Sequence, residues 1–168
     1  PKDYLSKSGF NQAKFYNDLN SENRELLGVE QLSWIEDSVL KSNAAWTIFG
    51  QQVLMAKLKF PDISKMLKTE EIPDFLKPYL KFLGLGIPSN LDAWDGYPAA
   101  RNKLYQLMQN AKKKFISLAG DTHNSWVSEL ENQPGKKVGI ELGAPSVTSP
   151  GITAVSYTHL RAHETQSD

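Results

Sequence analysis

The sequence predicts an α/β fold, and two features of its second half carry that prediction. Apolar side chains recur at helical spacing over residues 98–114, and the apolar, strand-like run 115–119 follows at once. A second strand-like run, 138–142, comes after the turn residues 132–135. Helices and strands that follow one another in this way are typical of layered α/β or mixed architectures.

The elements of the first half follow from the same periodicities. Residues 1–22 are polar and carry Asn and Ser, so we predict a loop that leads into a helix. Over residues 25–40 the apolar side chains recur at helical intervals, which predicts an amphipathic helix. Residues 44–54 are rich in Trp, Ile, Phe and Val and are predicted to form a short buried strand, with a turn at Gly50.

The middle of the chain is less regular. Two short helical patterns, 63–67 and 75–82, are each preceded by an Ile or Phe followed by Pro and Asp. A loop follows at 84–88, and its Gly-x-Gly lacks the third glycine and the preceding strand of a nucleotide-binding loop, so we predict a simple turn. In the helix that follows, Pro98 suits the first turn, and lysines cluster near the end, where the helix dipole favours cations.

Composition narrows the class of protein. The chain has 168 residues, 40% of them hydrophobic, which is enough for the core of one ordinary domain. Lys+Arg and Asp+Glu balance at 19 each, so the charge does not indicate binding to nucleic acid or to a membrane surface. No apolar stretch reaches the roughly 18 residues of a membrane-spanning helix. The absence of Cys decides nothing about the redox compartment.

A candidate metal-binding loop follows the predicted strand 115–119. Gly120, Asp121, Thr122 and His123 place a carboxylate and an imidazole where a buried strand ends, and the glycine lets the backbone turn. Carboxylate oxygen and imidazole nitrogen are ligands for hard and borderline metal ions. The alternative is a structural strand end, since Asp and Gly terminate strands well.

Five sequence blocks together resemble the PhoD-type alkaline phosphatases, a branch of the binuclear metallophosphoesterases. The order and approximate spacing of the blocks agree with that family, and they comprise residues 27–31, 50–53, 92–101, 120–123 and 138–151. The resemblance implies a fragment of a layered metallophosphoesterase α/β sandwich. It also implies hydrolysis of small phosphate monoesters and diesters by an exported enzyme that uses Ca²⁺ and Fe³⁺.

The resemblance also implies that part of the ligand set lies outside this chain. Family members are several times longer, and their first metal-ligand motifs precede the region matched here. We therefore expect residues 1–154 to be the C-terminal part of a PhoD-like catalytic domain, inactive when isolated. Two alternatives remain, a non-catalytic fragment and a binding module that keeps the fold without a complete metal site. The oligomeric state stays open.

The site residues follow from the matched blocks. Asp121 and His123 are the expected catalytic residues and metal ligands, and Asp95 is the third candidate ligand, with a turn or helix N-cap as its alternative. Arg101 is also an expected catalytic residue and is expected to bind phosphate through its fork of donors, with an ordinary surface arginine as its alternative. We expect Asp95, Asp121 and His123 to converge on one cleft at the carboxyl ends of the strands.

Two further residues are expected near the substrate. Tyr97 is expected to form a wall of the pocket, although an aromatic beside a glycine is more often part of the core. Asn124 is expected to orient the cluster through hydrogen bonds, and its alternative is to cap a helix at 125–130. The Ser and Thr residues between Pro145 and Pro150 have no His or acid partner nearby, which disfavours a serine hydrolase.

The end of the chain has a different character. Residues 155–168 resemble a translation of the transposase adapter used to prepare tagmentation sequencing libraries, so we expect a non-native tail without specific packing. His159 and His163 stand four apart, as in zinc-binding helices. Zincins place Glu directly after the first His, however, and this chain has Leu160 there. We therefore predict no metal site in the tail.

Overall fold

The computed structural model describes residues 2–6, 9–58, 84–88 and 90–145. The helical patterns at 63–67 and 75–82, the Ser and Thr loop from 146 onward and the tail 155–168 lie outside the described residues. The predictions for those segments therefore stay predictions.

A four-stranded mixed sheet and three α-helices make up most of the described chain, which confirms the predicted α/β class. The strands are β1 (Leu5–Ser6), β2 (Gly9–Phe10), β3 (Trp46–Gly50), β4 (Lys114–Ala119), β5 (Trp126–Gln133) and β6 (Lys136–Gly143). The helices are α1 (Gln12–Leu19), α2 (Gly28–Lys41) and α3 (Pro98–Asn110), with short 3-10 turns at Lys2–Tyr4 and Trp94–Gly96. β1 and β2 form a small separate hairpin.

The main sheet has the strand order β3-β4-β6-β5. β3, β4 and β6 run parallel to one another, while β5 runs antiparallel to β6 as the first arm of a hairpin. Parallel neighbours need crossover connections, and the segment that contains α3 supplies one between β3 and β4. All three parallel strands therefore end at one edge of the sheet.

Helix α3 buries its apolar stripe in the core beneath one sheet face. Leu104, Tyr105 and Met108 are almost fully buried and belong to the same cluster as Phe115 of β4. The helix starts at Pro98 as predicted but ends at Asn110, before the predicted end at residue 114. Lys112 then adopts a left-handed backbone (φ 52°), which turns the chain into β4. Helix α2 adds Ile35 and Val39 to the same core.

The opposite sheet face remains apolar and partly open in the described part of the chain. Ile48, Ile116 and Ile140 stand side by side on β3, β4 and β6, and Leu118 pairs with Leu142. Ile48 is 63% exposed and Leu118 is 42% exposed. The described residues thus provide one helical layer of the predicted sandwich. None of their helices has the length and apolar character needed to cross a membrane.

Helix α1 forms where we predicted a loop, so that prediction was wrong. The Asn11 side chain accepts a hydrogen bond from the Lys14 backbone N–H (3.0 Å) and caps the helix start. Phe15 and Leu19, four residues apart, then bury one helix face against Ile87. The polar composition of the segment hid this single apolar stripe.

The alternative role for Asn124 was to cap a helix at 125–130. That alternative was wrong, because strand β5 occupies this segment. Gln133 pairs with Lys136 across the turn at Pro134 and Gly135, and the two strands stay paired back to Trp126. Gly135 has φ 75°, a conformation that glycine adopts without a steric cost. Pairing with β6 therefore overrides the helix-forming Glu and Leu residues of this segment.

Candidate functional site

The carboxyl ends of the parallel strands define the edge where a site is expected. Gly50, Ala119 and Gly143 are the last residues of β3, β4 and β6, and the segments that follow them leave the sheet at this edge. The Gly120 N–H donates to the Gln52 carbonyl (3.1 Å), which ties the segment after β3 to the loop after β4. Ligands of open α/β sheets bind outside this edge.

The loop after β4 holds Asp121 and His123 in a strained backbone. Asp121 has φ 68° and His123 has φ 56°, a left-handed region that costs energy for residues other than glycine. The loop is fixed by the Thr122 N–H, which donates to the Gly120 carbonyl (2.8 Å), and by the Trp126 indole N–H, which donates to Thr122 Oγ1 (3.0 Å). Asp121 is exposed and His123 is half-buried. Strain of this kind is concentrated at functional loops.

Asp95 and Arg101 form a buried ion pair. Arg101 Nη1 donates to Asp95 Oδ1 (2.6 Å), and the two side chains are 2% and 9% exposed, respectively. Arg101 Nη1 also donates to the Met55 carbonyl (3.0 Å), and Asp95 Oδ2 accepts from the Leu58 N–H (2.7 Å). Both oxygens of Asp95 therefore have partners in the chain. The surface alternative for Arg101 was wrong, because the side chain is buried.

Helix α3 shows that Asp95 is not its N-cap. The N-cap position is Tyr97, which makes no side-chain capping bond, and Asp95 lies in the preceding 3-10 turn. The turn alternative for Asp95 is thus correct in position, and the ion pair with Arg101 connects this turn to α3.

One small pocket brings Asp95 and Asp121 together. Both residues line it beside Thr122, and its other lining residues are Leu54, Ala56, Leu58, Asn90 and Ala93. His123 lies two residues beyond Asp121 on the same loop but is not among the residues that line this pocket. Within the part of the chain that the structure describes, no three His, Asp or Glu side chains gather closely enough to hold a metal ion. The described residues thus offer part of a ligand set.

Tyr97 and Asn124, the two residues expected near the substrate, lie in different surroundings. The Tyr97 ring is half-buried and stacks under the Arg24 guanidinium (4.9 Å to the ring centre), whose Nε donates to the Gly96 carbonyl (3.0 Å). Trp94 is fully buried and belongs to the core. Asn124 is exposed on the loop that carries His123. Arg24 was not predicted, because no spacing in the sequence connects it with Gly96.

Glu141 is the main residue that sequence reasoning missed. Its side chain on β6 is fully buried, and its Oε1 accepts from the Met55 N–H (2.7 Å) and from the Ser117 hydroxyl (2.8 Å). Its Oε2 accepts from the Ala56 N–H (2.9 Å). One feature of the sequence could have identified it, namely a charged residue inside the apolar strand run 138–142. An unpaired buried carboxylate costs too much free energy to persist, so such a residue must have hydrogen-bond partners.

A chain of hydrogen bonds extends from this carboxylate along the same edge. The Gln51 amide donates to Ser117 Oγ (3.0 Å) and accepts from the Trp94 indole N–H (2.5 Å). The Tyr105 hydroxyl donates to the Met55 carbonyl (3.3 Å). Burial raises the pKa of Tyr105 far above its ordinary value, so the phenol remains a donor at alkaline pH.

Comparison with known proteins gives one consistent family. The family model of the PhoD-like phosphatases matches residues 2–168. Alkaline phosphatase D of Bacillus subtilis (strain 168) is 31% identical over 134 residues, which are 77% of this chain and 19% of that protein. A solved structure of PhoD aligns with a TM-score of 0.55 and 29% identity, covering 76% of this chain and 22% of that one. The chain therefore spans about a fifth of the length of these relatives.

Proposed function

The chain belongs to the PhoD-like phosphatase family, and on that premise we propose that its parent hydrolyses phosphate monoesters and diesters. The parent here means the family-length protein that carries this sequence. The observation that carries the proposal is the loop after β4, where Asp121 lies at the carboxyl edge of the sheet and shares a pocket with Asp95.

We propose that Asp121 and His123 contribute ligands to a metal site that the rest of the parent completes. Asp121 offers exposed carboxylate oxygens, and His123 offers a ring nitrogen from the same fixed loop. Ca²⁺ and Fe³⁺, the ions that the family resemblance implies, polarise phosphoryl oxygens and lower the pKa of bound water when present. The bonds of Thr122 hold the backbone of this loop before any ligand binds, which reduces the entropic cost of assembling the site.

The remaining residues have supporting roles in this proposal. Asp95 lies beside Asp121, and its bonds to Arg101 and Leu58 fix its carboxylate in one orientation. The burial of Arg101 favours holding Asp95 over direct contact with a phosphate group. Asn124 is exposed next to His123 and is proposed to contact the substrate, with Tyr97 at the wall of the cleft.

The balanced charge of this chain supports small phosphate esters as substrates rather than nucleic acids. We also propose, from the family resemblance, that the parent acts after export. The alternative of a non-catalytic binding module is not favoured, because the candidate loop and its supporting bonds are intact.

Hydrolysis of p-nitrophenyl phosphate and bis-p-nitrophenyl phosphate at alkaline pH tests the proposal. We expect the purified parent to hydrolyse both esters and to lose this activity when a chelator removes its metal ions. The 168-residue chain alone is expected to show no hydrolysis, because it offers an incomplete ligand set in its described residues. A folded, metal-loaded parent that hydrolyses neither ester would contradict the proposal.

A further inference from the structure

Glu141 lies in the protein interior, yet its hydrogen bonds lead to the turn that carries Asp95. Two separate routes make this connection. One runs through the backbone of the segment after β3, and the other runs through side chains above β4. Both routes start at the Glu141 carboxylate, and they end at Asp95 and at Trp94 beside it.

The first route passes through residues 55–58. Glu141 accepts the backbone N–H groups of Met55 and Ala56, which fixes this segment against β6. The Met55 carbonyl then accepts from Arg101, the ion-pair partner of Asp95. Three residues after Met55, the Leu58 N–H donates directly to Asp95 Oδ2 (2.7 Å). A shift of this segment therefore moves both partners of the Asp95 carboxylate.

The second route passes through side chains. The Ser117 hydroxyl donates to Glu141 and accepts from the Gln51 amide, and the Gln51 oxygen accepts from the Trp94 indole. Trp94 directly precedes Asp95 in the 3-10 turn. This route orients the turn itself.

The chemistry of the position requires a carboxylate. Three donors converge on Glu141, namely the N–H groups of Met55 and Ala56 and the hydroxyl of Ser117. A carboxylate has two acceptor oxygens, whereas an amide has one acceptor oxygen and a donor NH₂ group. In a Glu141→Gln variant the NH₂ group must face one of these donors. We expect the Ala56 N–H to lose its hydrogen bond, because it is the single donor on Oε2.

We propose that Glu141 is a positioning residue of the phosphatase site, which places Asp95 beside Asp121 through the segment 55–58 and through Ser117, Gln51 and Trp94. The expected effect on kcat rests on the proposed function. The expected effect on amide exchange rests on the hydrogen bonds alone. The two consequences are therefore measured separately.

The structural measurement is amide hydrogen exchange in the folded parent. Glu141→Gln should increase exchange at Ala56, and it should also increase exchange at Leu58, whose N–H bonds Asp95 and not Glu141. Glu36→Gln is the matched control, because Glu36 is exposed on α2. It should leave both amides unchanged. Unchanged exchange at Leu58 in Glu141→Gln would overturn the inference, whatever the activity of the enzyme.

The kinetic measurement is a double-mutant cycle. We expect Glu141→Gln to lower kcat by about tenfold to a hundredfold with a smaller change in KM, since displacement of a site residue by about 1 Å can cost that much. The double variant with Asp95→Asn should be no slower than Asp95→Asn alone, because both changes act on one carboxylate. Multiplicative losses would show that Glu141 acts elsewhere and would overturn the inference.

A milder variant keeps the test valid if Glu141→Gln fails to fold. Ser117→Ala removes the hydroxyl that joins Glu141 to Gln51 and leaves the two backbone bonds of Glu141 in place. It should give a smaller loss of kcat that is again absent in the Asp95→Asn background. A wild-type parent without phosphatase activity would refute the proposed function, while the exchange result at Leu58 would still decide the positioning role.

Discussion

Asp121→Asn in the parent should lower kcat for p-nitrophenyl phosphate by about a hundredfold or more and leave the fold intact. Loss of one charged ligand or electrostatic stabiliser commonly costs on the order of 3 kcal/mol of transition-state binding. The fold should survive, because Asp121 is exposed and Asn tolerates the left-handed backbone (φ 68°) of this position well. Turnover, metal content and melting temperature are measured on the same preparation.

Two companion variants sharpen this result. Asp92→Asn removes another exposed carboxylate near the Asp95 turn and should keep wild-type kcat. His123→Ala should weaken metal retention. Excess Ca²⁺ should restore part of the activity if the variant has lost only affinity for the metal ion. An Asp121→Asn enzyme with wild-type turnover and full metal content would show that the chemistry lies elsewhere.

Asp95→Ala should destabilise the parent by about 3–5 kcal/mol, the usual cost of breaking a buried ion pair by removing one partner. The Arg101 guanidinium, 2% exposed, would remain buried without its carboxylate, and the Leu58 N–H would lose its acceptor. Urea denaturation monitored by tryptophan fluorescence measures the change through the transition midpoint.

The surface pair of Lys103 and Glu25 provides the matched control for this prediction. Its side chains are 43% and 32% exposed, so Glu25→Ala should cost less than about 1 kcal/mol. The double variant Asp95→Ala with Arg101→Met should recover part of the loss, because it removes the uncompensated charge. A change of under about 1 kcal/mol for Asp95→Ala would mean that the pair contributes little to the stability of the fold.

The spacing of apolar residues predicted those helices and strands whose apolar positions in the sequence are also their buried positions in the structure. The apolar stripe of α3 and the apolar runs of β4 and β6 are strong patterns, and each element appears where it was expected. Helix α1 was missed because its burial depends on Ile87, far along the chain, and not on a long local stripe. Strand β5 was missed because pairing with β6, which comes later in the sequence, decides its conformation.

The candidate site was predictable where one short segment of the sequence contains the candidate ligand residues. Asp121 and His123 lie on one loop directly after a strand, so the sequence alone placed them at the sheet edge. The partners of Asp95 were not predictable, because the Leu58 N–H is a backbone group and Arg101 approaches only when the 3-10 turn leads into α3. The position of Glu141 was visible, but its donors come from segments distant in the sequence.

Crystals of the parent soaked with inorganic phosphate, the product of the proposed reaction, would show where the substrate phosphate group binds. We expect phosphate to bind at the carboxyl edge of β3, β4 and β6, next to the loop that carries Asp121 and His123. Phosphate bound specifically at the opposite edge of the sheet, with the Asp121 loop making no contact to it, would show that the proposed site is wrong.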